Sequence, residues 1–131
     1  MREAFDSYRR ALGDEHTDTI LAAGNLGDLE TSRGRYADAE ALLLRAVEAV
    51  RRTLPREHVY TGLTLRKYGR LLTSTRRFVE SEKALLEAEK ILSASAGPDH
   101  AQTKAAVQNL VELYDAWEHP EQARVWRKRL G

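Results

Sequence analysis

The chain has 131 residues, with 21 Lys and Arg against 20 Asp and Glu for a formal net charge of +1, so bulk charge gives no argument for nucleic acid or an anionic membrane surface as partner. Hydrophobic residues at 42% and charged residues at 31% read as one globular domain with a single core. The absence of cysteine excludes disulfides, thiolate metal sites and cysteine nucleophiles, and fits a cytoplasmic location. No apolar run reaches the roughly 18–20 residues of a membrane span, and MREAFDSYRR lacks the apolar core of a signal peptide.

In chain order, Met1, Ala4, Phe5, Tyr8, Ala11 and Leu12 form a helical stripe. Ile20, Ala23, Gly27 and Glu30 then share a helix face, with Leu26 and Leu29 beside it. After a turn at Arg33-Gly34-Arg35, Tyr36, Ala39, Leu43, Ala46, Val47 and Val50 recur at spacings of three and four. The pattern returns with Leu65, Tyr68, Gly69 and Leu72, then Phe78, Leu85, Ala88 and Leu92. It returns again with Val107, Leu110, Tyr114 and Trp117, then Ala123, Trp126 and Leu130. Pro120 suits the first turn of that last helix, where a missing N–H costs nothing. No segment alternates with the period of a strand, so the expected class is all-α.

These stripes repeat. A shift of 42 residues superposes Leu12 on Leu54, His16 on His58, Thr19 on Thr61, Gly27 on Gly69, Arg35 on Arg77, Glu40 on Glu82 and Leu43 on Leu85. His100, Thr103, Leu110, Leu113 and Ala123 stay in register a further 42 residues on. A helix pair of this size cannot bury both apolar faces alone, and stacking the pairs makes a solenoid. The expected layout is one domain over 1–131: a leading half-repeat helix at 1–12, repeats at 13–53 and 54–95, and a third at 96–131 that ends in a capping helix. The leading helix aligns with a second helix, Phe5 on Val47 and Tyr8 on Val50. Its partner is absent, so an apolar flank at Phe5 and Tyr8 is expected to be wet, covered either by upstream repeats of a longer parent or by a second copy in a symmetric homodimer.

Periods of 40 to 47 residues also suit HEAT or armadillo repeats. The small residues Gly27, Gly69, Ala39, Ala46 and Ala88, with Tyr36 or Phe78 opening the second helix, instead resemble the tetratricopeptide repeat. The loops LGDEHTDT, LPREHVYT and AGPDHAQT are similar to the linker of its 42-residue variant, found in kinesin light chains and many bacterial signalling proteins. LYDAWEHPEQARVWRKRL resembles the end of such regions in some bacterial serine/threonine kinases, but no kinase motif is present and that activity does not carry over. The resemblance implies a right-handed α-solenoid of about seven helices. It also implies binding of a peptide or protein in a concave groove lined by the first helix of each pair.

The candidate site residues follow from that geometry. His16, His58 and His100 fall one per repeat, on the order of 10–20 Å apart in stacked helices, too far for one zinc with ligands at about 2 Å. They are expected to start or cap their helices, with Thr19, Thr61 and Thr103 one turn on. His119 reads as a solvated turn residue. Glu40 and Glu82 recur with the repeat and so read as structural, and there is no Gly-rich phosphate loop, HExxH or GxSxG; no catalytic residue, cofactor or metal is expected. The faces turned from the core carry Leu21, Gly24, Asn25, Asp28 and Ser32, then Leu63, Arg66, Lys67, Arg70 and Ser74, then Ala105, Gln108, Asn109, Glu112 and Asp115. The family often has paired asparagines here. This chain keeps Asn25 and Asn109 in the second slot and departs at Gly24, Arg66, Lys67 and Gln108.

The expected groove set is therefore Asn25, Asp28, Arg66, Lys67, Arg70, Gln108, Asn109 and Glu112, with Arg66 and Arg70 holding an acidic peptide. The alternative is that these two arginines pair internally with Asp28 and Glu112. The basic last helix (Arg124, Arg127, Lys128, Arg129) reads as a solubilising cap rather than a nucleic-acid surface. The expected function is a non-catalytic scaffold or adaptor, with self-assembly through Phe5 and Tyr8 as the alternative.

Overall fold

The structure, a computed structural model, describes residues 2–13 and 15–131. Met1, part of the first helical stripe, and Asp14, in the first linker, lie outside the described residues. Among those described there are seven helices and no strand: α1 (Arg2–Leu12), α2 (Thr17–Ser32), α3 (Tyr36–Thr53), α4 (Val59–Ser74), α5 (Phe78–Ala96), α6 (Ala101–Ala116) and α7 (Pro120–Lys128). The starts of α2, α4 and α6 are spaced by 42 residues, as are those of α3, α5 and α7. α5 runs one residue past the expected division at 95.

Each first helix opens the same way. The amides of Asp18, Tyr60 and Gln102 donate to Nδ1 of His16, His58 and His100 at 3.1, 3.0 and 3.1 Å. Each histidine is the N-cap, pairing one of the orphan amides of a helix start. One turn on, the Thr61 hydroxyl donates to the Pro55 carbonyl at 3.2 Å and the Thr103 hydroxyl to that of Gly97 at 2.8 Å. These bonds tie the linker to the helix it precedes. The corresponding Thr19 hydroxyl is buried and finds no partner among the described residues.

The turns inside each pair also share one geometry. Gly34, Arg76 and Glu118 occupy the left-handed region with φ of 75°, 61° and 58°. The next amides, of Arg35, Arg77 and His119, donate back to the carbonyls of Glu30, Leu72 and Tyr114 at 2.9, 2.8 and 2.8 Å. This is the Schellman closure, in which a left-handed residue lets the helix end satisfy its last carbonyls. Only the first turn has the glycine that adopts this conformation without cost.

Within a pair, small residues set the spacing. A Cβ placed on Gly27 would lie 2.6 Å from Leu43 Cγ, and one on Gly69 would lie 2.6 Å from Leu85 Cγ. Leu43 and Leu85 are fully buried in those notches. Phe5 of α1 joins Ile20, Leu26 and Val50 in the first core cluster, and Leu85, Leu110, Tyr114 and Ala123 close the last, with Trp117 and Trp126 against it. α2, α4 and α6 abut in sequence, whereas α3 and α5 each pack on the following first helix with their own backbones held apart and only side chains meeting. The first helices therefore form an inner, concave layer and the second helices splay outside it.

The two threonine environments give opposite expectations. Thr19→Val removes an unpaired buried hydroxyl and should raise stability by about 1 kcal/mol, while Thr103→Val breaks a made bond and should lower it by about 1 kcal/mol. Urea denaturation of the two variants against the parent chain measures both signs.

Candidate peptide-binding face

The inner face is centred on α4, which presents Arg66, Lys67 and Arg70 on adjoining positions of one turn. Each is half-buried, and each reaches a neighbouring first helix. Arg70 turns toward α2: its Nη1 donates to Asp28 Oδ1 at 2.8 Å and to the Asp28 carbonyl at 3.2 Å, while Nη2 donates to Ser32 Oγ at 2.9 Å. Lys67 Nζ donates to Asn25 Oδ1 at 2.5 Å, also on α2. Arg66 turns the other way, its Nη1 donating to Asn109 Oδ1 of α6 at 2.9 Å. The Asn109 amide then donates to Glu112 Oε1 at 3.3 Å, and Gln108 Nε2 to Glu112 Oε2 at 3.2 Å.

The eight residues expected on this face are engaged across α2, α4 and α6 in three separate sets, Arg70 with Asp28, Lys67 with Asn25, and Arg66 with Asn109, Glu112 and Gln108, and their roles differ from the expectation. Arg70 has its guanidinium committed on both arms to α2. Arg66 meets Asn109 rather than Glu112, and Glu112 is instead engaged by the two amides of its own helix. Gly24, expected to face the groove, is buried beneath Lys67, whose Cδ lies 3.7 Å from where a Gly24 Cβ would sit. The departure from an asparagine at position 24 therefore makes room for the lysine stem.

Two cations retain capacity. Arg66 Nε is buried and has no hydrogen-bond partner among the described residues. Burial pushes the Arg66 pKa down from its ordinary value; Asp28 opposes that shift, Arg70 adds to it and Glu112 opposes it. Lys67 is likewise lowered, first by burial and then by the adjacent Arg66, against the attraction of Asp28. At the α1 end of the same face, Ala4, Tyr8, Leu21 and Asn25 line a hollow of about 260 Å³.

Other expected residues take their places elsewhere. Phe5 is only 1% exposed, buried by α2 and α3 rather than wet on its outer flank. The self-association surface expected there reduces to Tyr8 and Leu12, which are about two-fifths exposed. His119 is not simply solvated: its ring stacks on Trp117 with centroids 4.2 Å apart, and its Nδ1 donates to the Trp117 carbonyl at 2.7 Å. The recurring acids have structural partners. Glu40 accepts both arms of Arg77 at 3.1 and 3.0 Å, and Glu82 accepts the Tyr114 hydroxyl at 2.7 Å. Burial and that bond raise the Tyr114 pKa. Glu30, on the core stripe, is a buried carboxylate met by Arg33 at 3.4 Å and Arg35 at 3.5 Å. Among the described residues no three His, Asp or Glu side chains converge as a metal-binding set, and no helix is long and apolar enough to cross a membrane.

A family model described as the tetratricopeptide repeat matches residues 1–52 and again 19–94. The chain belongs to the tetratricopeptide repeat family. Its repeats generally mediate contacts between proteins. No curated protein matches the chain. Among solved structures, the crystal structure of BtubC (BKLC) from P. vanneervenii resembles it with a TM-score of 0.82 at 20% identity, over 98% of this chain and 54% of that one. This chain therefore spans about half the length of that protein, and the likeness shows a shared all-α solenoid fold. The family resemblance carried by the loop segments and the small-residue scaffold holds, and the tetratricopeptide first helices are those that bear the Arg66–Lys67–Arg70 face.

The bridge that commits Arg70 is open to direct measurement. A double-mutant cycle of Asp28→Ala and Arg70→Ala should return a coupling of about 1 kcal/mol, because both side chains are only about 30% exposed. The same cycle on Asp115 and Arg127, each more than half exposed, should return a coupling near zero.

Proposed function

We propose that this domain is a non-catalytic scaffold whose inner face binds an acidic segment of a partner protein, with Arg66 and Lys67 as the anion-binding centre. The observation that carries the reading is the buried Nε of Arg66, without a partner among the described residues, beside the desolvated ammonium of Lys67. Two adjoining cations each held below their ordinary pKa by burial are a charge deficit, and an incoming carboxylate relieves it with charge-assisted bonds. Asn25 and Asn109, which hold the two cations in the free chain, have amide groups able to turn to a peptide backbone. Arg70 serves the neighbouring α2 and so supports the face rather than the ligand.

The test is fluorescence anisotropy with a labelled Glu-rich peptide. Arg66→Ala, Lys67→Ala should weaken binding by about tenfold or more, equivalent to about 1.4 kcal/mol, with unchanged helical circular dichroism. Lys67 sits below the usual lysine range, so the ligand loses one of its two cations as pH rises through that lowered value. Affinity should therefore fall at alkaline pH in the parent chain, and fall less in Lys67→Ala. Unchanged affinity in the double variant would overturn the reading.

A further inference from the structure

The outer side of the solenoid carries a second concavity. The backbones of α3 and α5 stay apart, so the two helices stand as walls with α4 as the floor, bridged by the Arg51–Glu87 pair. Three abutting hollows of about 460, 520 and 350 Å³ run along this trough, and Lys83 and Glu87 border all three. Val47, Leu65 and Leu72 line it from the core side. Leu44 and Leu86 border it from the walls and stay 36% and 38% exposed. They hold equivalent positions 42 residues apart and border different hollows, Leu44 the one of about 350 Å³ and Leu86 the one of about 460 Å³.

The charges along the trough are unevenly satisfied. Arg51 and Arg56, from the α3 side, both donate to Glu87, at 3.3 and 3.4 Å, and Glu87 is largely buried between them. Lys83 and Lys90 have no ion-pair or hydrogen-bond partner among the described residues. The middle of the trough thus holds four cations around one carboxylate, with Glu57 and Glu80 at its two ends. Arg51 and Arg56 reach across to α5, as Arg66, Lys67 and Arg70 reach across the inner face. Here two lysines on one face of α5 are left over beside exposed leucines.

We propose that this outer trough is a second docking surface, and that its occupant is an acidic amphipathic α-helix of a partner protein. The bordering stretch of α5, from Glu80 to Ala94, spans about 21 Å at 1.5 Å per residue, or about four turns. A helix of that length lying between two splayed helices packs its apolar stripe on Leu44, Leu86 and the floor. Lys83 and Lys90 lie seven residues apart, about 10.5 Å along one face, so the complementary helix carries carboxylates at the same interval flanking leucines. Charge sets both the kind of partner and its register, while the apolar walls supply the buried area.

The experiment uses a capped helical peptide with glutamates seven residues apart and leucines three and four residues from each, titrated into the labelled protein and followed by anisotropy. A second peptide has lysine in place of each glutamate. The acidic peptide should bind saturably and the basic one should not. Lys83→Glu, Lys90→Glu, at exposed positions whose side chains have no partner among the described residues, should weaken the acidic peptide by about tenfold and confer binding of the basic one. Leu86→Asp should weaken both pairings, while Arg66→Ala, Lys67→Ala should leave the acidic helix bound. Three results would each overturn the proposal: no saturable binding, equal affinity for the two peptides, or loss of binding in the Arg66, Lys67 variant but not in the Lys83, Lys90 variant.

Discussion

Everything on this molecule's surface depends on how closely the two helices of each pair approach. At Gly27 and Gly69 the missing Cβ leaves a notch that Leu43 and Leu85 fill, with no room for even one added carbon. Side chains at close-packed contacts cannot be enlarged without strain, so each notch fixes the depth and register of its pair. The same pairing turns α4 so that Leu65 and Leu72 face the second helices while Arg66, Lys67 and Arg70 face the other way. One contact therefore decides both the floor of the outer trough and the composition of the inner face.

The pairs then stack through polar as well as apolar contacts. Arg77 bridges to Glu40 of the preceding pair with both arms, and Arg70 bridges to Asp28 and Ser32. In the third pair an aromatic system joins a charged bridge of Arg129 to Glu89: Tyr114 donates to Glu82, Trp117 stacks on Phe78, and His119 lies on Trp117. The repeat is thus conserved in backbone while its cross-pair bonds change in kind. This is the expected behaviour of an architecture in which each unit answers only to its neighbours.

The inner face and the outer trough differ in how their cations are used. On the inner face the basic residues of α4 are bonded to α2 and α6, and the residual capacity is one buried Nε and a desolvated ammonium. On the outer face the backbones diverge; Arg51 still reaches Glu87 across the gap, while Lys83 and Lys90 have no partner among the described residues. The contrast follows the stacking, in which the first helices abut and the backbones of the second helices stay apart.

The helices, their order, the 42-residue register and the family were legible in the sequence, because they rest on local periodicity and on identical residues at a fixed interval. The histidine caps were legible for the same reason, each falling at a helix start by counting alone. The candidate face was legible only as a set of positions. That Arg70 is spent on α2, that Arg66 meets Asn109 and not Glu112, and that Lys67 lies over Gly24 depend on the stagger between first helices. The burial of Phe5 depends on α1 packing on α2, which brings Phe5 into one cluster with residues of α2 and α3, and the pairing of the buried Glu30 depends on how the turn after α2 directs Arg33 and Arg35. Periodicity says which side of a helix a residue occupies; which atom it meets there is decided by packing between helices, and a single-chain pattern carries no measure of that distance.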